Sequence, residues 1–188
     1  MATRSHRRPQ APPAVRLTQR LEGATALDPA VRAIGPAAAA LIGSEGRRRL
    51  LHGDWMGHAV HPLLTDLPIG FWTSATVLDL VGGEEARPAA RRLVGLGVLS
   101  AVPTAVTGWA EWAAVSEPGI RRVGVVHAVS NAVAGVAYGA SWFARRRGDH
   151  ERGRNLALAG AAIASVGGYL GGHMTSARKV STRHPAFA

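Results

Sequence analysis

The chain has 188 residues, a formal net charge of +10 and no cysteine. The lack of cysteine excludes disulfides, thiolate catalysis, covalently attached haem and cysteine-ligated iron–sulfur clusters, so a metal or haem would need His, carboxylate or Met ligands. The charge comes from arginines that flank apolar stretches, a distribution typical of membrane boundaries, and we therefore expect no nucleic-acid partner.

The N-terminal third is predicted to lie on the membrane rather than to cross it. Residues 1–14, rich in Arg and Pro, predict a disordered basic arm that rests on anionic lipid. Residues 15–56 carry apolar residues at helical spacing, but the apolar runs are too short for a span. Asp28 as an N-cap and Pro29 in the first turn divide this stretch into short interfacial amphipathic helices.

Four longer apolar segments follow, each of the roughly 20 residues that a membrane crossing needs. Their connections are short, so neighbouring helices are expected to be antiparallel. We therefore predict an all-α integral membrane four-helix bundle over residues 57–176, multi-pass in the inner (cytoplasmic) membrane, with a tail at 177–188. Basic residues flank both sides in equal number, and the basic arm favours an orientation with both termini in the cytoplasm. The expected spans are 62–81, 93–115, 119–144 and 156–174.

The fourth segment is rich in small residues at a spacing of four: Gly160, Ala164, Gly168 and Gly172. Small residues at this spacing let helix backbones approach closely in lipid. We expect tight packing inside the bundle, with a homodimer through the same helix face as the alternative.

Ionisable residues converge at one end of the predicted bundle. His61 opens the first span, Glu111 closes the second, His127 lies near the start of the third and His173 near the end of the fourth. Alternating spans bring these positions to one membrane face, where ionisable groups are costly and indicate a functional site.

The predicted ligands include two further residues near the first span, His58 and Asp66. Two opposed imidazoles ligate haem b, and three imidazoles with carboxylates suit a divalent metal. The alternative for His58 and His61 is a role at the helix start, in contact with headgroups. The predicted cofactor ligands are His127 and His173, with His61 as a third ligand or a substitute and with Glu111 and Asp66 orienting them. The predicted metal ligands are His58, His61, His127, His173, Glu111 and Asp66.

Two other polar features have simpler interpretations. Ser100, Thr104, Thr107 and Glu111 form one polar stripe on the second span, which suits hydrogen bonds between helices and, as an alternative, a proton or solute path. Asp79, at the opposite membrane end, is expected to form a structural ion pair with Arg91 or Arg92.

The segment 55–83, WMGHAVHPLLTDLPIGFWTSATVLDLVGG, resembles the opening of a bacterial family of small four-span membrane proteins, domain of unknown function 2231. The resemblance continues through 121–127, Asn131 and 169–173 and covers residues 20–176. Some members of that family are joined to a Rieske-type iron–sulfur domain, which implies a redox setting. This chain has Ala59 where a proline is common, and its tail lacks the usual glycine–valine-rich ending. The family's recurrent polar positions are here His58, His61, Asp66, Asp79, His127 and His173.

Two functions of different classes follow from these observations. The first is a redox protein that holds haem b or a divalent metal at the His-rich end and exchanges electrons with a partner protein at the membrane surface. The second is a non-catalytic structural or partner-binding membrane protein, in which the same groups hydrogen-bond helices together. No catalytic residue is predicted for either function.

Overall fold

The computed structural model describes residues 11–181, and within this range all regular structure is helical. Most of the predicted basic arm (residues 1–10) and of the predicted tail (182–188) lies outside the described residues. A short 3-10 turn precedes α2, and a π-helical turn, His173–Ala177, continues α7. The helices are α1 Pro13–Gly23, α2 Asp28–Leu41, α3 Glu45–His52, α4 Val60–Val81, α5 Arg87–Ala113, α6 Pro118–Arg146 and α7 His150–Gly172.

The first three helices are short because their ends are marked locally. Pro13 opens α1, where the missing N–H of proline costs nothing. Ser44 caps α3 by accepting from the backbone N–H of Arg47 at 3.4 Å, and Gly53 ends it with φ 75°, a left-handed conformation that favours glycine. The predicted N-cap at Asp28 is wrong: Asp28 is the first residue of α2, and its carboxylate binds Arg122.

The long helices extend beyond the predicted apolar segments. The second begins at Arg87 instead of residue 93, and the fourth begins at His150 instead of residue 156. Their first turns are polar and Arg-rich, so hydropathy alone placed the starts too late. Asp149 caps α7 by accepting from the N–H of Arg152 at 3.1 Å.

The four long helices pack as two antiparallel hairpins. α4 packs along α5, and α6 packs along α7, while α5 contacts α6 and α4 contacts α7. This ring places α4 and α6 diagonally across the bundle, and their side chains meet along its central axis. The short helices pack on α5 and α6 at one end of the bundle, where Trp112 contacts α2.

Three of the described helices are long and apolar enough to cross a membrane: Arg87–Ala113, Pro118–Arg146 and His150–Ala177. α4 is not among them, so the predicted count of four spans is not confirmed. The physical reason is that Asp66, Asp79 and two prolines reduce the apolar character of its 22 residues. The exterior of the long helices is strongly apolar, with Val136, for example, 73% exposed.

Most glycines of α7 that face the bundle lie outside the predicted stripe. Gly168 and Gly172 lie in open space, with no atom within 4 Å of an added Cβ. The close approach between α6 and α7 depends on four glycines, and one of them, Gly160, belongs to the predicted stripe. These bundle-facing glycines are Gly153, Gly160, Gly167 and Gly171.

Candidate functional site

His61 lies in the first turn of α4 and reaches across to α5. Its Nδ1 lies 2.9 Å from the carbonyl oxygen of Thr104. A carbonyl oxygen only accepts, so Nδ1 carries the proton and Nε2 carries the lone pair. Gly108 leaves room for the ring, since a Cβ there would lie 2.7 Å from Cε1 of His61.

His127 has the same arrangement in the second hairpin. Its Nδ1 lies 2.8 Å from the carbonyl oxygen of Gly167 on α7, which again places the proton on Nδ1. Gly171 lies beside the ring, and a Cβ there would be 3.0 Å from Cε1 of His127. Each hairpin therefore holds one histidine through a backbone carbonyl of its own second helix.

The two histidines meet on the bundle axis. Their ring centroids are 6.5 Å apart, and the ring planes are nearly perpendicular at 87°. With each Nδ1 bound to a carbonyl, the nitrogens left for chemistry are the two Nε2 atoms. A hydrogen bond from Nδ1–H to a carbonyl is the usual way in which proteins orient a ligating imidazole.

Asn131 lies one turn beyond His127 and contacts its ring. The amide Nδ2 of Asn131 lies 3.2 Å from Nε2 of His127, close enough to donate to the lone pair. In this structure His127 therefore has a partner at both ring nitrogens. A ligand at Nε2 would take the place of the Asn131 amide.

His173 is bound elsewhere. Its Nε2 lies 2.8 Å from Oε1 of Glu22 in α1, and Glu22 also accepts from both Nε and Nη2 of Arg178. The Arg178 guanidinium, followed by His173, outweighs desolvation and holds the pKa of Glu22 below its usual value. This cluster ties the N-terminal helices to the end of α7.

The remaining predicted ligands are spread over three surfaces. Nδ1 of His58 contacts the carbonyl oxygen of the neighbouring Ala59 at 3.1 Å. Asp66 lies on the exposed side of α4, and Glu111 lies near the end of α5, partly buried. In residues 11–181 no group of three or more His, Asp and Glu side chains is placed to hold a metal ion. The structure thus brings together His61 and His127, two of the six predicted ligands.

Two further contacts lie along the same axis. Trp72 of α4 stacks on Tyr138 of α6, with ring centroids 4.0 Å apart and planes 5° from parallel. Asp79, near the end of α4, accepts from both Nη atoms of Arg145, at 2.7 and 2.5 Å. The predicted partners Arg91 and Arg92 are therefore wrong, because Arg145 lies on the helix diagonally opposite.

The sequence interpretation missed the groups that orient the two histidines. The hydroxyl of Thr104 donates to the carbonyl of Leu64 on α4, which confirms the predicted inter-helix bond, but its own carbonyl, which accepts from His61, was not predicted. The available signal was a constant separation: His61 and His127, Trp72 and Tyr138, and Asp79 and Arg145 are each 66 residues apart.

Comparison with known proteins gives one match. The family model described as "Predicted membrane protein (DUF2231)" matches residues 57–184, which include all four long helices. Neither a curated protein nor a solved structure matches the chain.

Proposed function

The chain belongs to the DUF2231 family of predicted membrane proteins. We propose that it is a redox protein of the inner membrane that holds haem b or a metal ion between His61 and His127. A bilayer environment follows from the family and from three apolar helices long enough to span it. The cofactor, the inner membrane and a fourth span are parts of the proposal.

We propose that α4 is the fourth span. It has 22 residues, enough to cross the roughly 30 Å of a hydrocarbon core. One of its two carboxylates, Asp79, lies in a buried ion pair with Arg145, and pairing inside a bundle is how membrane helices accommodate charge. Its contacts with α5 and α7 support a position within the bundle.

The observation that carries the cofactor proposal is the matched pair of Nδ1–carbonyl hydrogen bonds. They fix both imidazoles in the tautomer whose Nε2 carries the lone pair, which is the form that binds a metal once the Asn131 amide is displaced from His127. An imidazole nitrogen lies about 2 Å from a bound metal, so two imidazoles on one ion hold their ring centres about 6 Å apart. The observed separation is 6.5 Å.

Two histidines suit haem b better than a bare ion. The iron of haem b takes four ligands from the porphyrin, so two imidazoles complete its coordination. Zinc in a structural site takes four protein ligands, and a catalytic zinc takes three. Within residues 11–181, no third His, Asp or Glu side chain joins these two imidazoles to form a metal-binding group. Bound haem b would supply one-electron transfer, while this chain's residues orient the imidazoles and exclude water.

The proposed redox partner would approach the end of the bundle where His61 lies. His61 is the second residue of α4, so the pair is close to one membrane face. The same end carries α2 and α3, packed against α5. A partner protein would contact these helices at the membrane surface.

The test is optical spectroscopy with elemental analysis on the full chain purified in detergent. We expect a Soret band, or a stoichiometric metal, that is lost in His61→Gln and in His127→Gln. Gln keeps a donor for the carbonyls of Thr104 and Gly167, so the fold is preserved. His150→Gln, at the far end of the bundle, is the matched control and should keep the signal. A protein that takes up neither haem nor metal while fully folded would contradict the proposal.

The contact between Asn131 and His127 favours a second function, that of a non-catalytic structural membrane protein. Both ring nitrogens of His127 have partners within the chain, as expected for a histidine that joins α6 to α7. Under this alternative, Asn131→Leu destabilises the protein and leaves it colourless. Under the redox proposal, Asn131→Leu frees Nε2, and ligand affinity increases.

A further inference from the structure

We infer that the hairpins α4–α5 and α6–α7 are two copies of one two-helix unit, related by a two-fold axis along the bundle, and that the site at His61 and His127 takes its ligand symmetrically, one nitrogen from each copy. The second half of this inference rests on the proposed function. The first half rests on packing alone.

The first helices of the two units match at a separation of 66 residues. Three pairs at this separation meet across the axis: the two histidines, the stacked Trp72 and Tyr138, and the ion pair of Asp79 with Arg145. Between these contacts the buried residues match as well. Pro68 corresponds to Ala134 and Ala75 to Ser141, and all four are buried.

The second helices match at a separation of 63 residues. α7 has five buried residues, and each has a buried counterpart in α5 that lies 63 residues earlier in the chain. These positions follow the heptad spacing that helices of a bundle share, so the equivalence of the units is carried by the contacts that repeat at this separation. The pairs are Ala90 with Gly153, Val94 with Ala157, Gly97 with Gly160, Thr104 with Gly167, and Thr107 with Leu170.

The contacts inside each unit are also repeated. Thr104 and Gly167, which accept from the two histidines, are one such pair. Gly108 and Gly171, which make room for the imidazoles, are 63 residues apart, and Gly97 and Gly160 do the same for Trp72 and Tyr138. A repeat in hydrogen bonds and close contacts points to a common unit rather than to similar composition.

The change of separation from 66 to 63 falls where the two helices of each unit are joined: the second connection is two residues shorter, and α6 ends one residue earlier than α4 in the shared register. Residues 82–86 join α4 to α5, and the shorter segment 147–149 joins α6 to α7. Each connection contains a glycine with positive φ, Gly83 at 62° and Gly148 at 86°. The units differ in turn length and keep the same helix register.

The axis explains why identical residues face each other at the candidate site. A position on a two-fold axis meets its own counterpart, so His61 and His127 present the same donor atom from opposite sides. The surroundings differ at one position: Asn131 contacts Nε2 of His127, whereas its counterpart Thr65 donates to the carbonyl of Pro62. This chemistry suits a metal with two opposite open coordination positions, as in haem b, better than an ion that needs an uneven set of ligands.

Exchange of the stacked rings tests the duplication without any cofactor. In Trp72→Tyr/Tyr138→Trp the larger ring moves to the other unit, where a glycine lies beneath it as before. We expect each single variant to lower the unfolding midpoint in detergent and the double variant to recover most of the loss, a positive coupling between the two sites. A double variant that loses as much as both singles together would overturn the equivalence of the units.

Haemin binding to the full chain tests the symmetric site. We expect His61→Gly and His127→Gly to convert the wild-type haemin spectrum to the same altered spectrum, and added imidazole to restore both. If one variant keeps the wild-type spectrum and the other loses it, one unit supplies the ligand alone; the symmetric site is then wrong while the proposed function stands. If neither variant differs from a wild type that binds haemin, the proposed site itself is wrong.

Discussion

The two ends of the bundle axis hold pairs of ionisable residues in opposite chemical situations. At one end Asp79 and Arg145 are complementary, joined by two short contacts, and Arg145 is 1% exposed. Its Nε also donates to Ser141, which donates onward to the carbonyl of Gly153. At the other end His61 and His127 are identical, and backbone carbonyls rather than each other hold them in place.

This difference separates a structural contact from a binding site. The two halves of the duplicated fold have diverged where a like pair would be costly, because equal charges meeting on a buried axis would repel. They have kept the same residue, histidine, at the end where the two imidazoles meet. Substitutions at the two ends should therefore differ in kind, with stability lost at one end and ligand binding lost at the other.

The largest effect is expected for Arg145→Ala. This change leaves Asp79 as an unpaired charge inside the bundle, and breaking a buried ion pair in this way typically costs about 3–5 kcal/mol. Thermal unfolding of the variant in detergent, followed by circular dichroism, measures the loss. Arg147→Ala is the matched control, because Arg147 is an exposed arginine of the same cluster. Equal midpoints for the two variants would contradict a structural role for this end.

The second-largest effect is expected at Gly97, which packs against the indole ring of Trp72. An added Cβ at Gly97 would overlap the indole ring of Trp72, and overpacking of this kind costs about 1–3 kcal/mol. Gly97→Ala should therefore lower the unfolding midpoint. Gly168→Ala, at an open position of α7, should leave it unchanged or raise it slightly. If both variants behave alike, the close packing along the axis is looser than described.

The sequence predicts that the chain is helical and that His61 and His127 lie at the same end of the bundle. Apolar segments about 20 residues long, separated by short connections, fix the alternation of the chain, and alternation places His61 and His127 at one end. The contact between His61 and His127 could not be predicted from the sequence. That prediction requires knowing that α4 and α6 are diagonal in the ring and how far each is rotated about its own axis.

The binding of His173 shows where sequence reasoning reaches its limit. Its partner Glu22 is separated from it by 151 residues and lies in a helix predicted to rest on lipid. An amphipathic helix looks the same whether its apolar face covers lipid or the end of a bundle. The repeat at 66 residues was present in the sequence, but Trp matched with Tyr and Asp matched with Arg do not resemble each other without the contacts.

A smaller effect on stability is expected at the histidine end. Thr104 and Gly167 lie within helices, where the backbone already satisfies their carbonyls, so loss of an imidazole removes only the net value of one hydrogen bond, about 1 kcal/mol. His61→Ala and His127→Ala should each shift the unfolding midpoint of cofactor-free protein much less than Arg145→Ala does. A loss of stability as large as that of Arg145→Ala would mean that the histidine pair, like the ion pair, serves to stabilise the fold.

The smallest effect concerns the Glu22 cluster, the charged contact nearest the histidine end. The Arg178 guanidinium lowers the pKa of Glu22 in the folded protein, so the stabilisation is complete above the ordinary Glu value of about 4.3 and is lost as pH falls through the lower folded value. Arg178 is 40% exposed, and solvent screening limits a pair of this kind to about 1 kcal/mol or less. Glu22→Gln should lower the unfolding midpoint slightly at pH 7, and the difference from the wild type should shrink as the pH falls below the ordinary Glu value, in parallel thermal scans. A difference that persists unchanged at the lower pH would mean that Glu22 contributes through packing of α1 against α7 rather than through its charge.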